Sequence, residues 1–192
     1  MKFDKKLEFR RKAFHICLGI LIILLAIFIS QVKWILFYTL IAGMILSILS
    51  IFYKLPLINF LLEKFERPNY IRTFPGKGAL FFIAGSLLVL KLFSKEIAIA
   101  SIAILALTDP FFSLEKRAFK GIFKVKTLKS LLLGLIAGTI AASLFVSPFK
   151  AFAASLIATL VESFVILLGT DHVDDNIIVP LTAGTILYLI QL

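Results

Sequence analysis

Long apolar runs separated by short charged intervals dominate this chain. Seven stretches, about Ala13–Ser30, Trp34–Tyr53, Gly78–Phe93, Ile97–Leu107, Leu128–Val146, Ala151–Gly169 and Ile177–Leu192, predict helices that cross a bilayer, because a span needs about 20 mostly apolar residues. The third and fourth share one run, broken by Lys91, Ser94, Lys95 and Glu96, which predicts a tight hairpin at the membrane surface. The fourth stretch is the shortest. The first one follows a basic start, as a signal peptide does. It ends in Ile29-Ser30-Gln31-Val32 without a small-x-small cleavage site, and so reads as a retained first span.

Two of the polar intervals carry a helical pattern of their own. Over Pro56–Glu66, Leu57, Ile58, Leu61, Leu62 and Phe65 fall on one face and Asn59, Glu63 and Glu66 on another. Pro56 suits a first helical turn and Pro68 is expected to end the segment. This predicts an amphipathic helix lying at the membrane interface. Over Phe111–Lys126, Lys116, Arg117, Lys120 and Lys124 share one arc opposite Phe111, Phe112, Leu114, Phe119, Ile122, Phe123 and Val125.

Composition agrees with the pattern. Apolar and aromatic residues make up 60% of the 192 residues and charged residues 17%, against about 45–50% and about 25% in soluble domains. Disorder and a disulfide scaffold are excluded by the same figures and by the single cysteine, Cys17. The net charge of +10 would suggest nucleic acid on a soluble domain. Here it is sided. The N-terminal segment, the two long loops and the Thr170–Asn176 loop hold 17 Lys and Arg, whereas the opposite side holds only Lys33, Lys91, Lys95 and Lys150. The positive-inside rule places the rich side in the cytoplasm, with the N-terminus inside. The expected architecture is therefore one all-α integral membrane domain, residues 1–192, with about seven transmembrane helices and no nucleic-acid partner.

A few polar residues are not explained by topology. Glu162 lies well inside the sixth span, about 10 Å from its cytoplasmic end at 1.5 Å per residue. A carboxylate there is costly unless paired, protonated or hydrated. It continues the stripe Ser155, Ala158, Thr159 at helical spacing, and Gly134, Gly138 and Ala142 form a second small stripe that favours close helix packing. Asp109-Pro110 closes the fourth span and fits a turn as well as a site. The loop Thr170-Asp171-His172-Val173-Asp174-Asp175-Asn176 concentrates acids without a cation, so it can hold a divalent ion or, at Asp175 or Asn176, merely cap the last helix. Arg11, Lys12 and His15 share a face that suits a phosphate or lipid headgroups. Lys77, flanked by Gly76 and Gly78 at a helix start, also suits an anion. The acids and these cations fall on one side of the membrane, and together they are the parts of phosphoryl transfer.

In order along the chain, Arg11-Lys12-x-x-His15, Gly76-Lys77-Gly78-Ala79-Leu80-Phe81-Phe82, Asp109-Pro110, Lys126-Thr127-Leu128, Val161-Glu162 and Asp174-Asp175-Asn176-Ile177-Ile178-Val179-Pro180-Leu181 resemble the CTP-dependent lipid kinases: dolichol, phytol and CTP-dependent diacylglycerol kinases, with phosphatidate cytidylyltransferase-like relatives. The resemblance implies CTP as donor, Mg2+, and a polyprenol, phytol-like or diacyl- or dialkylglycerol acceptor. It implies that Asp109, Asp174 and Asp175 hold the magnesium nucleotide, with Arg11, Lys12, His15, Lys77, Lys126 and Asn176 at its phosphates. Glu162, Asp109 and Asp175 would be the catalytic groups, and Glu162 is placed to take the proton of the lipid hydroxyl. The chain departs from that pattern at Thr108, Phe111, Phe112, Lys116 and Lys120, where the family favours glycine or small residues, and at Thr127-Leu128-Lys129-Ser130-Leu131. The competing functions are a CDP-lipid-forming cytidylyltransferase, a small transporter using Glu162 as its ion site, and an inactive scaffold.

Overall fold

The computed structural model describes residues 5–112, 128–167 and 174–191, and the chain is all-helical, with no strand among the described residues. The helices are α1 (Lys5–Phe28), α2 (Val32–Phe52), α3 (Pro56–Phe65), α4 (Pro68–Ile71), α5 (Lys77–Leu92), α6 (Lys95–Phe112), α7 (Leu128–Ala142), α8 (Pro148–Leu167) and α9 (Asp175–Gln191). Each of the apolar stretches in the sequence coincides with one of the longer helices. Two helices near the N-terminus, over Lys6–Phe28 and Val32–Phe52, are long and apolar enough to cross a membrane.

Helix α6 is the axis of the fold. All ten residues from Ile97 to Ala106 are buried, as expected of a helix that is apolar around its whole circumference. It packs against α1, α5, α7, α8 and α9. It is also longer than its apolar stretch suggests. Asp109-Pro110 does not end it; the helix continues through both residues to Phe112. Proline removes only the amide that would serve the carbonyl of Ala106, and one turn from a helix end that loss is tolerated.

Helices α1 and α6 run in opposite directions. The Lys95 ammonium at the start of α6 donates to the carbonyl of Ile27 at the end of α1, at 2.9 Å. Near the other end of α6, Leu105 meets His15 of α1. Helices α5 and α9 run parallel, since Lys77 meets Asp174 where both begin and Phe93 meets Tyr188 where both finish. The expected hairpin between the third and fourth stretches is present, with only Phe93 and Ser94 between α5 and α6.

The first amphipathic segment is helix α3, held to α1 by Phe14 against Phe65 at 5.3 Å between ring centroids. The segment ends at Phe65, ahead of Pro68 as expected, and Pro68 itself starts the short α4, because a proline has its φ preset for a first turn. The segment's predicted polar face needs one correction. Glu66, expected on the polar face, is 6% exposed, and its carboxylate accepts the backbone N–H of Arg67 at 2.9 Å. The second amphipathic segment lies outside the described residues beyond Phe112.

Candidate active site

At the end of the bundle where α5 and α9 begin, four of the polar residues singled out in the sequence come together: Lys77, Asp174, Asp175 and Asn176. Gly76 makes this possible on the α5 side. It precedes the helix with φ of 74°, a left-handed conformation that glycine adopts without a Cβ penalty. The turn delivers Lys77 as the first residue of α5. Its ammonium lies 3.5 Å from Asp174 Oδ2 and over the rings of Tyr70 and Phe81, at 5.1 and 5.5 Å from their centroids.

On the α9 side the helix cap is Asp174, ahead of both candidate caps in the sequence. Its Oδ1 accepts the backbone N–H of Asn176 at 3.2 Å and the Asn176 side-chain amide at 2.7 Å. The short acidic side chain just before the first turn satisfies an amide that the helix itself leaves unused. One carboxylate thus does two things: Oδ1 caps α9 and Oδ2 faces the cation of α5. The same amide group of Asn176 reaches Asp175 Oδ1 at 3.3 Å, so it lies between the two acids. Asn176 Oδ1 is buried and has no hydrogen-bond partner among the described residues.

Backbone packing fixes this arrangement. Pro180 sits in α9 four residues after Asn176, where the helix would normally supply an N–H to the Asn176 carbonyl. That carbonyl instead abuts Gly85 of α5, and a Cβ on Gly85 would collide with it. The Asn-x-x-x-Pro spacing in one helix and a glycine in the other therefore bring the two backbones together beside Lys77 and Asp174.

Glu162 is 2% exposed. The stripe read in the sequence is the buried face of α8, since Ser155, Ala158, Thr159 and Glu162 are all enclosed. Thr159 Oγ1 donates to the Ser155 carbonyl at 2.6 Å and Ser163 Oγ to the Thr159 carbonyl at 2.8 Å. Across from this stripe a Cβ on Gly138 of α7 would collide with Thr108 Oγ1 and come within 3.2 Å of Ser155 Oγ. The small residues thus do what their spacing predicts, letting α6, α7 and α8 approach closely. The hydroxyls of Thr108 and Ser155 are buried without a hydrogen-bond partner among the described residues.

The basic face of α1 is only partly as expected. His15 packs edge-on to Phe82, 4.6 Å between ring centroids, and its Nε2 lies 3.3 Å from the Leu105 carbonyl, to which it donates. Arg11 turns back to Glu8 at 3.0 Å, and the same carboxylate receives Arg67 Nε at 3.1 Å. Lys12 is half-buried. Glu8 and Arg67 drew no attention in the sequence. The Glu8–Arg11 spacing of three was a local signal, but nothing linear pointed to Arg67.

Of the carboxylates assigned to a metal, the side chains of Asp174 and Asp175 are described. Asp109 stands in the last turn of α6, and its side chain, like Lys126, Asp171 and His172, lies outside the described residues. Among the described residues no three His, Cys, Asp or Glu side chains gather as a metal site. Comparison with known protein families, with characterised proteins and with solved structures returns no match.

Proposed function

We propose that this chain is an integral membrane enzyme of seven spans that moves the terminal phosphoryl group of CTP to a membrane lipid alcohol at its cytoplasmic face. The membrane part rests on what the bundle leaves outside. Phe28, Phe52, Leu144 and Phe149 are each more than 70% exposed, and only 17% and 11% of the apolar windows in α1 and α2 are buried. Exposed apolar surface on that scale supports lipid rather than water as the surrounding medium.

The observation that carries the catalytic part is the meeting of Lys77 with Asp174, itself bonded to Asn176. Phosphoryl transfer asks a protein mainly for positioning and charge. Lys77 offers a cation at a helix N-terminus, where backbone amides also favour an anion. Asp174 and Asp175 offer only oxygen donors, and the buried Oδ1 of Asn176, without a partner among the described residues, adds a further oxygen. Such a set suits a hard divalent ion such as Mg2+, which when bound would offset charge on the phosphate oxygens. Glu162 is buried in the second half of α8, and in this reading it is the carboxylate that the lipid hydroxyl meets. In the reaction the lipid oxygen bonds to the γ-phosphorus, the bond from that phosphorus to the bridging oxygen of CDP breaks, and Glu162 takes the hydroxyl proton.

The test is purified protein in lipid vesicles with Mg2+ and CTP labelled at either the α- or the γ-phosphate. Polyprenol, phytol and diacylglycerol are offered in parallel. Label from the γ-phosphate in the lipid product is the expected result. Label from the α-phosphate, with release of pyrophosphate, would replace the kinase by a cytidylyltransferase, and no lipid label from either would remove both.

A further inference from the structure

The opposite end of the bundle holds a cavity that the proposed reaction does not use. Its volume is about 310 Å³, and Glu96, Phe145, Ser147, Lys150, Leu187 and Gln191 are among its walls. It sits where α6 and α8 begin and α9 ends, a full helix length from Lys77 and Asp174.

Its charges are arranged in an unusual way. Glu96 of α6 and Lys150 of α8 line the same space, yet neither forms an ion pair or side-chain hydrogen bond among the described residues. Of the other cations at this end, Lys95 donates to the Ile27 carbonyl and Lys91 lies over Trp34 at 5.2 Å from the ring centroid, while Lys33 is exposed and lines no part of this cavity. A carboxylate in the first turn of a helix complements its dipole, which accounts for Glu96 alone but not for a cation across the same cavity. Glu96 is also the one acid on the side that topology places outside. An acid and a base that line one cavity without pairing with each other match a ligand that carries both charges. Ser147 and Gln191 add neutral hydrogen-bonding groups, and Phe145 and Leu187 add an apolar wall. Small-ligand sites begin at about 300 Å³.

We infer that this cavity binds a zwitterionic phosphate ester, the head of an outer-leaflet phospholipid, with its phosphate at Lys150, its ammonium at Glu96 and its chains along Phe145 and Leu187. The inference uses the membrane placement of the chain and no part of its catalytic reading, and its readout is binding, so the two can fail separately.

Delipidated full-length protein in detergent is titrated with phosphatidylethanolamine, phosphatidylglycerol or water-soluble phosphoethanolamine, and bound ligand is counted by native mass spectrometry. Wild type should prefer phosphatidylethanolamine over phosphatidylglycerol by up to about fivefold, the worth of one partly exposed charge contact. Glu96→Gln should abolish that preference, and Lys150→Gln should weaken both lipids, each with an unchanged lipid-free unfolding midpoint. Competition by phosphoethanolamine would assign the site to a free ester, and failure to compete would assign it to the lipid. Equal binding of the two lipids by wild type, or a preference that survives both substitutions, would overturn the inference.

Discussion

Lys77 and Asp174 face each other at 3.5 Å, at the N-termini of two parallel helices that are far apart in the chain. Asp174 also caps its own helix through the other carboxylate oxygen. The two duties can be separated by substitution. Asp174→Asn keeps an acceptor for the cap and loses the charge, so the fold should persist while lipid labelling falls. Lys77→Met should lower labelling by about 10²–10³, the usual loss for one stabilising donor at a phosphoryl or acyl transition state. It should also lower stability by about 1–3 kcal/mol, because a mostly buried carboxylate loses its cation. Labelling rates and thermal unfolding of the two variants in the same vesicles check both statements.

Gly85 tests whether backbone packing sets that pair. Alanine there would collide with the Asn176 carbonyl, a backbone atom that cannot swing aside. Gly85→Ala should therefore part α5 from α9, with a loss of about 1–3 kcal/mol as in other overpacked cores, and activity should fall with stability. Gly78→Ala is the control, since nothing lies within 4 Å of a Cβ placed on Gly78. Its unfolding midpoint should match or exceed wild type, as alanine is favoured over glycine in helices.

Much of the helical layout was legible because a continuous apolar run of span length admits few other structures. The buried stripe from Ser155 to Glu162 was legible for a related reason: a spacing of three and four fixes a face, and only one face of α8 can meet α7 and α9. Local chemistry misled at Asp109-Pro110. Turn preference is a weak local bias there, and packing around α6 decided the outcome. The Lys77–Asp174 contact, the cap at Asp174 and the Arg67–Glu8 pair could not be read linearly. Each depends on how two helices are laid side by side, which the order of residues along one helix does not encode.

Glu8 joins Arg11 of α1 to Arg67, which precedes α4. This ties the α3–α4 segment to the first helix. In a double-mutant cycle with Glu8→Gln and Arg67→Gln, the coupling should be about 0.5–1 kcal/mol. It should shrink as salt rises, because these side chains are only partly buried and remain open to screening. Unfolding of the four proteins at low and high ionic strength measures it. Coupling near zero at low salt would show that the contact does not hold the segment.

Glu162 decides between a chemical and a structural role for the interior of α8. The residue is 2% exposed and ends the buried stripe that begins at Ser155. Glutamine has nearly the same volume and keeps an oxygen acceptor and a donor, so Glu162→Gln preserves packing and removes the capacity to carry a proton away. If Glu162 takes the lipid hydroxyl proton, the variant should unfold within a few degrees of wild type while γ-phosphate labelling of lipid falls by about 10²–10⁴, the usual worth of a positioned general base. If the carboxyl merely joins helices, the glutamine variant should keep its labelling rate. Ser155→Ala, on the same stripe and farther from the candidate site, supplies the comparison: it removes a buried hydroxyl that lacks a partner among the described residues, so it should leave stability equal or higher and the labelling rate unchanged. Measuring rate and unfolding midpoint for both variants in one vesicle preparation separates the roles, since only a proton acceptor loses rate without losing stability.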